Sequence, residues 1–330
     1  MKVSELGEFG LIDLLAVMIS DSNINQVSPG QLVLGVGDDA AAWRSQSSIE
    51  LATVDAMVQD VHFSLGMISW QELGWKSLAI NLSDIAAMGG VPRYALVALG
   101  LPEDTRVEDV SLLYEGMIDL ARQTRTAIVG GNISRSPVVS VTITVLGSSL
   151  DSRILRRSSA RPGDTIAVTG HPGSAAAGLE MLRKKVTVEA ASEQYLRTAF
   201  LRPTPRLAEG QALVKGGVKT AIDISDGLLA DLRHICEASQ VSARIDVEKL
   251  PIHPTVVENF GEKARDLALS GGEDYELLFT ADAAVIQRVK AELGQVTAIG
   301  KITAGKPGKI SLADATGRSI KIGEYGWSHF

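Results

Sequence analysis

Aspartates of this 330-residue chain gather beside glycine and small residues in five separate places, with no lysine next to them in sequence. Gly35-Val36-Gly37-Asp38-Asp39 closes one apolar run, and Asp55 follows Leu51-Ala52-Thr53-Val54. Asn81-Leu82-Ser83-Asp84 precedes Gly89-Gly90, while Asp223-Ile224-Ser225-Asp226-Gly227 and Gly271-Gly272-Glu273-Asp274 come much later. Two carboxylates about 4 Å apart repel by roughly 4 kcal/mol at an effective dielectric near 20. A fold that converges them needs a cation. Hard oxygen ligands suit Mg²⁺, which keeps several waters and shares its shell with phosphates. The chemistry these residues suggest is metal-dependent phosphoryl transfer.

Other motifs point elsewhere less well. Gly35-Val36-Gly37-Asp38-Asp39-Ala40 lacks the third glycine of a dinucleotide fingerprint and puts acids where phosphates would sit. Gly305-Lys306-Pro307-Gly308-Lys309-Ile310 has P-loop composition without P-loop spacing and reads as a solvated turn. Gly170-His171-Pro172-Gly173-Ser174 reads as a tight turn with Ser174 near a helix cap, in preference to an anion site. His62 stands between apolar residues, an ordinary structural setting. The single cysteine, Cys236, lies in a stretch with helical spacing of apolar residues and is expected in the core, so no intramolecular disulfide can form.

The elements that must position these groups can be read from periodicity. Phe9 to Ile19 has helical spacing. Leu51–Val54, Tyr94–Leu99 and Val138–Val145 read as strands. Ser69-Trp70-Gln71-Glu72 has the spacing of a capping box, and its helix should run to about Met88 with Gly89 as the stop. On it Asn81 and Asp84 share a face that offers oxygen ligands, while Leu78, Leu82 and Ile85 pack on another. The basic, proline- and glycine-broken stretch from Asp151 to Asp164 marks a boundary. Beyond it, strands at 165–170, 219–222, 275–280 and 296–302 alternate with helices at 174–182, 227–238 and 283–293, an α+β or α/β order.

Composition sets outer limits. With 45% hydrophobic and 22% charged residues the chain is an ordinary globular one, long enough for two cores. Its net charge of −7 argues against a general nucleic-acid partner. No apolar run approaches the length of a membrane span and the start is acidic, so a cytoplasmic, membrane-free protein is expected.

Taken together, the segments resemble the thiamine-monophosphate kinase family, within the superfamily named for aminoimidazole ribonucleotide synthetase. The resemblance rests on Gly35 to Ala40, Val61-His62-Phe63, Ala79 to Gly89, Val129-Gly130-Gly131, Arg161 to Asp164, Ala221 to Gly227, Leu269 to Leu277 and the closing Gly326 to Phe330. It implies a two-domain α+β fold: residues 1–149 as an ATP/Mg-binding domain with dimerising strands, and residues 150–330 as an α/β domain completing the cleft. It implies ATP-dependent phosphorylation of thiamine monophosphate to thiamine diphosphate, with several Mg²⁺ ions, in a homodimer. By position Asp39, Thr53, Asp55, Asp84, Asn132, Asp223 and Asp226 are the implied metal ligands. Gly131, Asn132, Arg157 and Ser225 would contact ATP, and His62, Glu273 and Trp327 would meet thiamine monophosphate. No side chain is cast as nucleophile or base. The family's Gly-Gly-Asp is Gly130-Gly131-Asn132 here, and Val54 replaces a usual threonine; one metal site is therefore expected to be weaker. Another ATP-dependent enzyme of the superfamily, such as a ribonucleotide cyclo-ligase or selenophosphate synthetase, is one competing reading. A non-catalytic nucleotide-binding homologue is the other. A selenophosphate synthetase commonly uses an N-terminal reactive Cys or selenocysteine, and Cys236 comes too late for that.

Overall fold

The computed structural model describes residues 32–34, 38, 41–44 and 49–320. The expected helix at 9–19, Asp39 and Trp327 lie outside the described residues. Two sheets organise the rest. The first contains β1 (Leu32–Leu34), β2 (Ala41–Arg44), β3 (Ile49–Val58), β4 (Gly90–Leu101), β5 (Ala127–Arg135) and β6 (Ser140–Ser149), in the order β1-β2-β3-β6-β4-β5. The second contains β7 (Thr165–Thr169), β8 (Thr220–Asp223), β9 (Ser242–Asp246), β10 (Leu277–Ala281), β11 (Val296–Thr303), β12 (Ile310–Ala313) and β13 (Ser319–Ile320), in the order β13-β12-β9-β11-β7-β10-β8. Its pairs are antiparallel except β9 with β12, so helices alternate with strands without building a parallel sheet.

Helix α1 (Trp70–Ala87) starts where the capping box predicts: Ser69 Oγ accepts from the Glu72 amide and Glu72 Oε2 accepts from the Ser69 amide. The helix ends at Met88 as expected. Its amphipathic reading needs correction. Leu73 through Ser83 are buried without a break, and only Asp84 is partly open before burial resumes. The reason is its place between layers: α1 packs on β3, β4 and β6, on α2 (Val107–Thr124), and on β8 and helices of the second half. A helix enclosed on every side has no solvated face to keep polar. Asn81 is thereby removed from the ligand face. Its side-chain oxygen accepts from the Asp55 amide at 3.0 Å and its nitrogen donates to Ser77 O at 3.0 Å.

In the second half, α3 (Ser174–Lys184), α4 (Ala190–Leu201), α5 (Leu207–Gly216), α6 (Leu228–Ala238), α7 (Pro254–Phe260), α8 (Lys263–Ser270) and α9 (Ala283–Leu293) flank the sheet. Strand β10 is buried throughout and begins two residues later than expected. Strand β6 likewise starts at Ser140 instead of Val138, because Val138 and Val139 belong to the turn tied to Gln59. Cys236 is buried on α6, as its spacing predicts.

The first sheet is covered on one face only. Along β3 the odd-numbered residues lean toward α1 and the even-numbered ones face away. Val54 is 58% exposed, and Leu96, two strands over in the same row, is 39% exposed. Tyr94 and Leu146 extend this apolar open face.

Candidate active site

Three aspartates from three elements meet where α1 passes between the sheets. Asp55 comes from β3, Asp84 from α1 and Asp223 from the end of β8. Asp55 and Asp84 face each other side chain to side chain, and each acts on the other's ionisation. Thr53 Oγ1 donates to Asp84 Oδ2 at 2.5 Å, and Ser83 Oγ donates to Asp223 Oδ2 at 2.6 Å. Burial, then the charge of Asp223, pushes Asp55 up to about 6. Burial with Asp55 and Asp223 holds Asp84 well above the usual carboxylate range. Asp223 is also raised by burial, which outweighs its bond from Ser83 and the pull of Arg157.

The turn after β8 forms a second group. Asp231, in the first turn of α6, accepts through Oδ2 from the amides of Ser225, Asp226 and Gly227 at 3.1, 3.2 and 3.1 Å. Ligand atoms of Asp226, Asp231 and His234 lie within 4.8 Å of one another. Neither Asp231 nor His234 was singled out from sequence. The usable signal for Asp231 was an aspartate four residues into a Gly-capped helix, where a carboxylate collects the unpaired amides.

The third piece is the loop from Ser270 to Tyr275. Glu273 and Tyr275 both hold left-handed backbone, at φ 66° and 51°. The Glu273 amide donates to Ser225 O at 2.7 Å and the Tyr275 amide to Ile224 O at 2.9 Å, which welds this loop to the Asp223–Gly227 turn. Gly272 has to be glycine, since a Cβ there would stand 2.4 Å from Ser225 O. The Tyr275 phenol is pushed up by burial and by Glu273, Asp55, Asp223 and Asp84, so it keeps its proton among those carboxylates. Tyr275 is a site residue that sequence reading missed, hidden by its reading as strand.

Lys76 corrects the impression that lysines are far away. One helical stretch before Asp84, its Nζ lies 3.0 Å from Glu273 Oε1. Sequence neighbours gave no hint of it, because the pair joins residues far apart in the chain.

Arg157 sits in a single 3-10 turn (Arg157–Ser159); its amide donates to Asp38 Oδ2 at 3.2 Å, and its charge acts on Asp223 and Asp231. His62, in the turn after β3, accepts from the Val58 amide through Nδ1 at 3.0 Å.

Gly131 and Asn132 stand apart. The row Asp55–Ile143–Val97–Gly131 crosses the sheet, and the next row is Ala56–Thr142–Ala98–Asn132. Three strand spacings, about 14 Å, separate β3 from β5. Ile143 and Val97 are buried under the helices, so Asn132, one residue on, faces the open side of the sheet. Within one chain it does not join Asp55, Asp84 and Asp223.

The donor set fits a hard divalent cation. Three carboxylates and a threonine hydroxyl converge, and the burial and mutual repulsion that push these carboxyls up are what a cation would offset.

Comparison with known proteins gives the same frame. Residues 37–149 match the model for the AIR synthase related protein, N-terminal domain, and residues 161–313 that for the C-terminal domain. The thiamine-monophosphate kinase of Bacillus subtilis (strain 168) is 36% identical over 90% of this chain and 93% of its own length. That of Escherichia coli (strain K12) is 38% identical over 98% of both. The chain belongs to the thiamine-monophosphate kinase family. A solved family structure, described as AaThiL complexed with AMPPCP and TMP, superposes with a TM-score of 0.87 at 34% identity, covering 100% of this chain and 99% of that one. The two-domain α+β fold expected from sequence is thus the family's fold. No helix among the described residues is long and apolar enough to cross a membrane.

Proposed function

We propose that this protein transfers the γ-phosphoryl group of ATP to thiamine monophosphate, giving thiamine diphosphate, as a step in the biosynthesis of that cofactor. The observation that carries the reading is the convergence of Asp55, Asp84 and Asp223 on one point in a member of this kinase family. Relatives bearing that name share the whole length of the chain, and the AaThiL structure binds AMPPCP and TMP.

Asp55, Asp84 and Asp223, with Thr53, would hold Mg²⁺, and Asp226 and Asp39 are assigned to metal binding by the family resemblance. Bound there, Mg²⁺ supplies positive charge that screens two anionic substrates from each other. The chain's own part is positioning. Asn81 fixes the Asp55 backbone, Ser83 fixes one oxygen of Asp223, and Asp231 holds the Ser225–Gly227 amides in a single turn. Arg157 offers a planar fork to phosphate, and Ser225, in the turn held by Asp231, is assigned to ATP as well. His62, Glu273 and Trp327 are assigned to the acceptor. The accepting oxygen belongs to a phosphate already ionised at neutral pH, so no strong base is needed. Transfer is direct and in line, without a phosphoenzyme.

The working form is a homodimer, with residues 1–149 supplying dimerisation and metal binding and residues 150–330 closing the cleft. The apolar open face around Val54, Tyr94 and Leu96 supports this, as do the exposed Val129 and Ile133 on edge strand β5. A second copy is also what gives Gly131 and Asn132 a route to an active site.

The test is a coupled-free assay following thiamine diphosphate with purified protein, ATP, Mg²⁺ and thiamine monophosphate. Product that requires all three supports the reading. Nucleotide binding without product over a wide Mg²⁺ range sinks it in favour of a non-catalytic homologue.

A further inference from the structure

Lys76 is among the largest fully buried side chains of the protein, with its side chain 1% exposed. Its ammonium stands 3.0 Å from Glu273 Oε1 and 3.6 Å above the Phe200 ring centroid. The three residues come from α1, α4 and the loop after α8, so the contact spans both halves of the chain. Among the described residues, Glu273 is the one acidic partner of Lys76, and Lys76 the one basic partner of Glu273. The Glu273 backbone is fixed independently by its left-handed conformation and its bond to Ser225 O. Its side chain is 30% exposed, so the contact with Lys76 does not enclose it.

A buried ion pair adds little net stability over apolar residues of the same volume. Holding a lysine here therefore asks for another reason, and the geometry supplies one. A carboxylate held through Oε1 by a buried ammonium, with its side chain still 30% exposed, is restricted in orientation and can receive an N–H donor or a cationic ring. We propose that Lys76 is a positioning residue for the acceptor substrate: it clamps Glu273 in one rotamer so that the free oxygen meets the cationic, amine-bearing heterocycle of thiamine monophosphate. This rests on the assignment of Glu273 to the acceptor. The role belongs to binding of one substrate, and leaves ATP untouched.

The experiment compares Lys76→Met, Lys76→Arg, Glu273→Gln and the double variant Lys76→Met/Glu273→Gln, with KM for each substrate, kcat and melting temperature. Lys76→Met is expected to raise KM for thiamine monophosphate about tenfold, the scale of one hydrogen bond to a charged group, with KM for ATP unchanged. Lys76→Arg keeps the charge on a differently shaped head and is expected to restore part of the loss. The double variant should bind the acceptor no worse than the weaker single one, because no carboxylate remains to be aimed. It also leaves no unpaired buried charge, so it carries the test if Lys76→Met fails to fold; in that case a double variant that binds the acceptor clearly worse than Glu273→Gln alone overturns the proposal. An equal rise in both KM values, or single effects that multiply in the double variant, overturns it too. If Glu273→Gln alone leaves the acceptor KM unchanged, the assignment of Glu273 falls and the proposal with it. If Glu273→Gln weakens acceptor binding but Lys76→Met does not, only the proposal falls.

Discussion

Two groups of buried carboxylates sit close together and are treated in opposite ways. Glu276 is met on both oxygens: Arg206 Nη2 on Oε1, with Arg206 Nε and Thr169 Oγ1 on Oε2 at 2.7 and 2.6 Å. Asp84 and Asp223 receive one hydroxyl each, and the charge of Arg157 acts on Asp223 without overcoming its burial. The first arrangement is complete without a ligand; the second is not. Acidic residues alone do not mark a site. Acidic residues that the protein declines to neutralise do.

Asp84→Asn is the sharpest way to break this comparison. With one charge removed, kcat/KM should fall on the order of a thousandfold, the scale of losing one preorganised charge-stabilising group. Metal-free stability should hold or rise, since the remaining carboxylates lose a repelling neighbour. Thermal melts in chelator, beside the kinase assay, read both. Saturating Mg²⁺ should raise the melting temperature of the parent protein and much less that of the variant. A variant that loses stability along with activity would place Asp84 with the structural group.

Arg206→Met tests the other side. It strands the Glu276 charge, and stability should fall by about 3 kcal/mol in urea titrations. The Mg²⁺-dependent melt shift should survive. Loss of that shift would join the two groups into one network.

Asp274 is the intermediate case. It accepts from the amides of Gly173 and Ala175 at the start of α3, at 2.6 and 3.0 Å, yet burial pushes it up to about 8. The sign follows from linkage. The folded state binds a proton that the unfolded chain releases near pH 4, so this contribution is complete below pH 4 and is lost as pH rises through 8. Asp274→Asn should flatten the decline in stability between pH 5 and 8. Equal slopes for parent and variant would mean the two amides and the helix terminus hold the carboxylate charged, as Arg206 does for Glu276.

The same contrast explains what was legible beforehand. Short-range signals were reliable: the capping box at Ser69 and the β-branched run of β6 identify their elements locally. Helices α2, α4 and α5 open without a side-chain cap, so no local signal marks where they begin. The all-round burial of α1 was invisible because Asn81, Ser77 and Ser83 look solvated in sequence and are satisfied by bonds within the core. Lys76 and Glu273, or Ser83 and Asp223, are pairs set by how the two sheets clasp α1. No window along the chain contains them.

Asn132→Asp has the smallest expected effect and asks the most about assembly. In a single chain the substitution adds a charge on the open sheet face, about 14 Å from Asp55 across three strands. It should then leave the Mg²⁺ half-saturation of activity where it was. If a second copy brings its β5 edge to this cleft, the restored carboxylate joins an existing ligand set, and half-saturation should fall about threefold, a fraction of one ion-pair's worth. Measuring the titration over a wide range of protein concentration, with the oligomeric state followed in parallel, separates these cases. A fall seen only in the dimer assigns Asn132 to the partner's site and explains why evenly matched neighbours on one chain never meet. An unchanged value at every concentration removes Asn132 from the metal ligands altogether, and leaves Asp55, Asp84 and Asp223 as the set that must hold the ion.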